Sequence, residues 1–245
     1  MKKALITGAN KSIGLEAARQ LLRTGYYVFL GSRDLTNGQQ AVAHLQAEGL
    51  TQVEVIQLDV ADGASVKAAR ETIGRKTTVL DVLINNAGIS GGMPQSPLNA
   101  SVELIKQVFD TNLFGVISVI QAFLDLLRQS PAPRIVNVTS GLGSLTLHSD
   151  PCWDFYAFIG AAYVPSKTAL NAYTLMLAKE LRDTPFKVNA VDPGYTATDF
   201  NHHRGTGTLE EAGARVVKYA LLDANGPTGK FISEQANPGT GEIPW

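Results

Sequence analysis

Cysteine is nearly missing from this chain: Cys152 is the only one in 245 residues. An internal disulfide is therefore impossible, and a reducing, cytoplasmic setting is the expectation. A surplus of either charge is missing too. Lys and Arg number 21 against 22 Asp and Glu, for a net charge of -1, and no run of basic residues forms a patch. Nucleic acid and membrane surfaces are accordingly not expected as partners. Long apolar runs are also scarce. Met1-Lys2-Lys3 imitates the start of a signal peptide, but Ala4-Leu5-Ile6 ends at the polar Thr7, and no other stretch is expected to reach transmembrane length. Repeats, low-complexity tracts and interdomain linkers are absent, so residues 1–245 read as a single domain.

What remains is alternation. Residues 3–7 read as a short buried strand, followed by the turn Gly8-Ala9-Asn10-Lys11-Ser12-Ile13-Gly14 and an amphipathic helix over 12–24. A strand, a glycine turn and a helix start make a phosphate-binding layout, because glycine admits close backbone approach and the helix offers free N–H groups. Further strands are predicted at 26–31, 52–58, 79–84, 134–139, 186–191 and near 229–233. Helices are predicted at 35–48, 62–74, 98–109 and 111–128, with helical continuation after Lys167. This order predicts an α/β fold with a doubly wound parallel sheet of Rossmann type. The helix over 111–128 is apolar on nearly every side, which predicts burial all round, with one face on the sheet and another covered by a second subunit.

Tyr163 and Lys167 lie four residues apart, one turn along a helix. A tyrosine near an ammonium ion is expected to have its pKa lowered from about 10 toward neutrality, where a general acid works best. Pro165 between them requires the helix to begin close to Tyr163 or to kink there. His148, Asp150 and Cys152 cluster in sequence without a fourth ligand at usable spacing, so no metal is predicted.

The turn Thr7-Gly8-x-x-x-Ser12-Ile13-Gly14, with Asp59-Val60, Asn85-Asn86-Ala87-Gly88, Asn112, Ser140, Tyr163-x-x-x-Lys167 and Pro193-Gly194, resembles the short-chain dehydrogenase/reductase family over essentially the whole chain. Lys11, Arg33-Asp34 and the stretch Gly226 to Phe231 look most similar to carbonyl reductases. The resemblance implies an oxidoreductase that uses NADP(H) on a ketone, aldehyde or quinone. It implies Tyr163 as proton donor, Ser140 as hydrogen-bond donor to the same oxygen, Lys167 as partner of the phenol and of the nicotinamide ribose, and Asn112 as support for a relay water. The cofactor would lie on Gly8, Asn10, Lys11, Ser12, Ile13, Gly14, Arg33, Asp59, Val60, Asn86, Ala87, Gly88, Tyr163, Lys167, Pro193, Gly194, Thr196 and Thr198. NADP is implied over NAD because Ser32 stands where an acid would accept from the ribose, with Arg33 beside it. Asp34 is the counter-evidence. Ser12 stands where the family usually has glycine.

The 22 residues between Ser140 and Tyr163 exceed the common family spacing, so 141–162 reads as an insert. Its aromatics Trp153, Phe155, Tyr156 and Phe158 either line a substrate pocket or anchor the insert. Residues 195–210 read as a loop suited to cover substrate, and a homo-oligomer is compatible with the apolar helices. The rival is a non-catalytic NADP(H)-binding redox sensor.

Overall fold

The structure, a computed structural model, describes residues 1–245. Strands β1 (Lys3–Ile6), β2 (Tyr27–Ser32), β3 (Val53–Gln57), β4 (Val82–Asn85), β5 (Arg134–Val138), β6 (Lys187–Val191) and β7 (Phe231–Ile232) form one sheet. Their order is β3-β2-β1-β4-β5-β6-β7, and every pairing is parallel. The chain winds outward from β1 to β3, then returns to β4 and winds the other way. Between β1 and β4 the connections diverge, and the carboxyl ends of the strands open a crevice there.

Alternation within each strand builds the two layers. Ala4, Ile6, Val28, Leu30, Val82, Ile84, Val136 and Val138 face one side, where they bury α1 (Ser12–Arg23), α2 (Leu35–Ala47) and α8 (Leu209–Ala220) through Leu21, Leu45 and Val216. Leu5, Phe29, Leu83 and Ile135 face the other, against α3 (Gly63–Gly74), α5 (Gly115–Leu127) and α7 (Tyr163–Glu180) through Ile73, Phe123 and Leu170. Each such aliphatic side chain contributes about 1.5–3 kcal/mol when fully buried. Asn137 breaks the apolar pattern on the second face: its amide donates to Thr174 on α7 at 2.9 Å while its carbonyl accepts from Asn85 at 2.9 Å.

Three expectations need correction. Helix α8 was not predicted, although Thr208 and Glu211 form a reciprocal cap at its start, with Glu211 N–H to Thr208 Oγ1 at 3.2 Å and Thr208 N–H to Glu211 Oε2 at 2.9 Å. The two helices predicted at 98–109 and 111–128 are one. Helix α4 (Val102–Phe109) runs into α5 through a π-helical turn, Asp110–Phe114. The combined Val102–Leu127 is long and apolar enough to cross a membrane by length and composition, contrary to the expectation that no stretch is. It is instead a core helix, with Val116, Val119, Ile120 and Phe123 buried between the sheet and α3. Its outer face is left open in the single chain, where Phe114 is 54% exposed and Ile117 half-buried.

Boundaries elsewhere agree with the reading to within a few residues; the insert holds a short α6 (Leu145–His148), and α7 begins at Tyr163 itself. Pro165 thus falls in its first turn, where no intrahelical N–H is needed. Ser12 has φ +51°, a left-handed conformation that costs a non-glycine residue about 1–2 kcal/mol. Glycine fits that position better for this reason, whatever it does for a ligand. Ser12→Gly is expected to stabilise the fold by about 0.5–1 kcal/mol after glycine's own entropic loss. Urea unfolding checks this, and an unchanged or lower midpoint removes the strain argument.

Candidate active site

The residues predicted for the site surround one continuous cleft of about 2540 Å³ at the carboxyl ends of the strands, with Asn112 the sole exception. At its β1 end the glycine turn is drawn tight. Gly8 has φ +61°, and a Cβ there would lie 2.9 Å from Ala87 Cα. At Gly14 a Cβ would meet Asn86 Nδ2 at 2.4 Å. The Asn86 amide donates to the carbonyls of Thr7 and Gly8, both at 3.0 Å, and Thr7 Oγ1 accepts from the N–H groups of Asn86 and Ala87. Asn86 therefore braces the turn rather than pointing into the cleft. Helices α2, α3, α4 and α8 begin with the capping side chains of Asp34, Asp62, Ser101 and Thr208, whereas α1 begins at Lys11 without one. Its free N–H groups and the close backbone cradle fit a pyrophosphate.

The end of β2 gives Ser32 and Asp34 partners in the protein itself. Ser32 is its last residue, buried, with its hydroxyl donating to Asp34 O at 2.6 Å. Asp34 turns its carboxylate onto Asn37 N–H at 2.8 Å as the cap of α2. Arg33 is exposed and in no ion pair, and Lys11, also exposed, pairs with Asp199 at 2.9 Å. Asp59 accepts from Ala61 N–H at 3.0 Å after β3, and Val60 packs against the start of α5, where a Cβ on Gly115 would lie 2.8 Å from Val60 O.

Near the middle of the sheet Ser140 follows β5 and lines the cleft with Tyr163, its hydroxyl accepting from Leu142 N–H at 3.2 Å as the cap of the next turn. Lys167 lies one turn along α7, buried, with Nζ donating to Val138 O at 2.9 Å and 5.8 Å from the Tyr163 ring centre. Burial pulls its ammonium down to about 8, with Asp192 opposing. The phenol does not follow the expectation. Burial pushes the Tyr163 pKa up, Asp192 adds to this, and the nearby Ser140 hydroxyl only partly offsets them. The ammonium's hydrogen bond goes to a backbone carbonyl, so it does not bring the phenol toward neutrality.

Asn112 sits behind the cleft in the π-helical turn, fully buried. Its carbonyl accepts from Ile89 N–H at 2.9 Å, and its amide donates to Ile89 O at 2.9 Å and Ser166 Oγ at 3.0 Å. Gly88 separates it from Lys167: a Cβ there would lie 3.3 Å from Asn112 Oδ1 and 3.7 Å from Lys167 Nζ.

After β6, Asp192 accepts from Ser233 Oγ at 2.7 Å and Gly194 N–H at 3.0 Å, and burial raises its pKa. Pro193, Gly194, Thr196 and Thr198 line the cleft, with both threonines buried. Of the insert aromatics, Trp153, Phe155 and Phe158 line the cleft and Tyr156 faces solvent. Trp153 meets Phe155 edge to face at 5.5 Å, and Phe155 meets Tyr195 at 6.2 Å. Phe200 lies against Tyr163 with ring centres 5.4 Å apart.

The profile of the short chain dehydrogenase family matches residues 2–208. The chain belongs to that family. Across 95% of its length this short-chain dehydrogenase is 34% identical to a (+)-neomenthol dehydrogenase of Arabidopsis thaliana, 96% of which is covered. Salutaridine reductase from Papaver somniferum, a solved structure, superimposes with a TM-score of 0.83 at 31% identity, covering 94% of this chain and 99% of that one. NADPH-bound carbonyl reductase from chicken fatty liver gives 0.84 at 25% identity, covering 100% and 99%.

One site residue had no signal in the sequence. Gln95, buried in the segment after β4, accepts the N–H groups of Ala162 at 3.0 Å and Tyr163 at 3.2 Å on Oε1. Its amide donates to Ser90 O at 2.7 Å and Gly92 O at 2.8 Å. Gln95 thus caps α7 at Tyr163 from 68 residues away. Gln95→Leu is expected to destabilise the dehydrogenase by about 1–3 kcal/mol, because it strands buried donors and acceptors. A urea midpoint within error of wild type would show the cap to be dispensable.

Proposed function

We propose that this protein reduces the carbonyl group of an apolar ketone, aldehyde or quinone with NADPH, and oxidises the alcohol in reverse. The supporting observation is the placement of Ser140, Tyr163 and Lys167 in one cleft with the uncapped start of α1 and the exposed cations Lys11 and Arg33. NADPH supplies the hydride to the carbonyl carbon. Every other part of the step falls to side chains. Tyr163 holds the proton that the nascent alkoxide takes, and burial keeps it on the phenol until then. Ser140 donates to the same oxygen, where negative charge develops. Lys167 places its ammonium behind Tyr163 and toward the ribose, while Asn112 holds α7 to Ile89 through Ser166 as a positioning residue. Lys11 and Arg33 take the 2′-phosphate. The cradle from Gly8 to Gly14 takes the pyrophosphate, Asp59 and Val60 the adenine end, Ala87 and Gly88 the ribose, and the loop from Pro193 to Thr198 the nicotinamide. Trp153, Phe155 and Tyr195 form an apolar wall suited to a bulky substrate, with 141–162 as an insert and 195–210 as the covering loop of one domain, 1–245. A homo-oligomer through the outer faces of α7 and of α5 with its preceding π-helical turn, where Met176 and Phe114 are exposed, and a cytoplasmic location suited to the exposed thiol of Cys152 complete the reading. A sensor would have no use for a buried lysine beside a proton donor.

NADPH consumption with a panel of small and bulky carbonyl compounds tests the activity. Tyr163→Phe should lose about 10²–10⁴ in rate and retain NADPH binding. A folded variant keeping more than about a tenth of the activity removes Tyr163 as the acid. The pH profile has a definite sign. Because the phenol is held protonated, kcat/KM for reduction should be level at lower pH and fall as pH rises through about 8, where Lys167 loses its charge. Lys167→Arg should lack that fall in whatever activity it keeps; the same alkaline limb in the variant reassigns it to another group.

For the cofactor, Arg33→Ala should weaken NADPH binding and leave NADH binding nearly unchanged, measured by nicotinamide fluorescence. Equal losses for both would take the 2′-phosphate away from Arg33.

A further inference from the structure

One of the two cations at the phosphate end is already engaged. Lys11 Nζ lies 2.9 Å from Asp199 Oδ2, joining the glycine turn to a residue 188 positions away in the loop after β6. The contact is made at the rim of the cleft, and both side chains are more than half exposed. Asp199 has a second partner on its own loop, His203, whose Nε2 lies 3.0 Å from Oδ1. Lys11 and then His203 hold the Asp199 carboxyl below its usual range. The loop is tightly turned there, with His202 at φ +55° and His203 at φ +58° after the short helix Asp199–Asn201. The next residue, Phe200, carries the ring that lies on Tyr163. The loop therefore touches the phosphate end of the cleft through Asp199 and the proton donor through its neighbour.

An ammonium offered to a phosphate dianion cannot keep the same geometry toward a carboxylate, and the two anions repel each other at close range. We propose that Asp199 is a cofactor-discriminating residue whose carboxylate competes with the 2′-phosphate of the dinucleotide for Lys11. The inference rests on the assignment of Lys11 to that phosphate. A dinucleotide without the 2′-phosphate leaves the Lys11–Asp199 pair intact. A phosphorylated one must displace Asp199, which then keeps His203 as its partner. The pair thus subtracts from NADP(H) affinity and leaves NAD(H) affinity alone.

Dissociation constants for NADP⁺ and NAD⁺, measured calorimetrically on wild type, Lys11→Ala, Asp199→Asn and the double variant at low salt, test this. All four positions of the cycle are expected to fold, because both side chains are exposed, and thermal melts check that they do. Asp199→Asn should tighten NADP⁺ about two- to fivefold, the range open to an exposed ion pair, with NAD⁺ unchanged. Lys11→Ala should weaken NADP⁺, and in that background Asp199→Asn should have no effect. If Lys11→Ala weakens NADP⁺ while Asp199→Asn alone leaves it unchanged or weaker, the competition is overturned and the assignment of Lys11 stands. Equal tightening by Asp199→Asn with and without Lys11 also overturns it, as a long-range charge effect. If Lys11→Ala leaves NADP⁺ untouched, the assignment itself falls and the inference with it.

Discussion

A charged amine buried in the domain is the constraint on which the site depends. Removing an ammonium from water is expensive unless it finds partners, and Lys167 has one hydrogen bond, to Val138 O at 2.9 Å. That carbonyl ends β5, and the next residues are Thr139 and Ser140. The same contact that satisfies the lysine therefore sets the distance between α7 and the turn that carries Ser140. Thr139 Oγ1 donates to Asn171 at 2.7 Å, and Thr168 Oγ1 donates to Gly143 O at 3.0 Å, so the turn is held to α7 on both sides of the lysine. A Cβ at Gly143 would lie 2.8 Å from Asn171 Nδ2, which shows how little space separates the two elements.

Electrostatics at this point differ from the simple picture of an ammonium acidifying a phenol. Burial acts on both groups and favours the neutral form of each: it raises the tyrosine and lowers the lysine. Asp192, itself raised by burial, works against the shift of the lysine and adds to that of the tyrosine. The result is a phenol that keeps its proton and an ammonium whose charge is labile near neutrality. In a proton donor for a newly formed alkoxide, the first property is useful in the resting protein, and the second makes the lysine the group that titrates.

Much of this was legible in the sequence because local signals carried it. Apolar runs of four to six residues ending in Gly8, Asp59, Asn86 and Ser140 located the strand ends, and the parallel sheet put them on one edge. The fates of individual side chains were less legible. Asn86 turned back onto Thr7 and Gly8, Asp34 became a helix cap, and Asn112 went behind the cleft, since each paired with a backbone group that only the folded chain brings within reach. Gln95 gave no signal at all, because its partners lie in a distant helix start that only the tertiary fold brings near. Helix α8 did have a signal, the Thr208 and Glu211 cap, but the glycines and histidines before it suggested irregular chain. The π-helical turn at Asp110–Phe114 is invisible to a search for helical periods, since it adds a residue to one turn without breaking the apolar pattern.

The cap supplied by Gln95 separates two parts of the chain that are contiguous in sequence. It grips the backbone of Ala162 and Tyr163 from outside the insert, so the first residue of α7 is located by the segment after β4 and not by the 22 residues that lead into it. Lengthening or shortening that stretch moves its aromatics without moving the phenol. The place of the phenol is thereby uncoupled from the course of residues 149–160, and the wall of the cleft that Trp153, Phe155 and Phe158 line can be rebuilt while the start of α7 stays where Gln95 holds it.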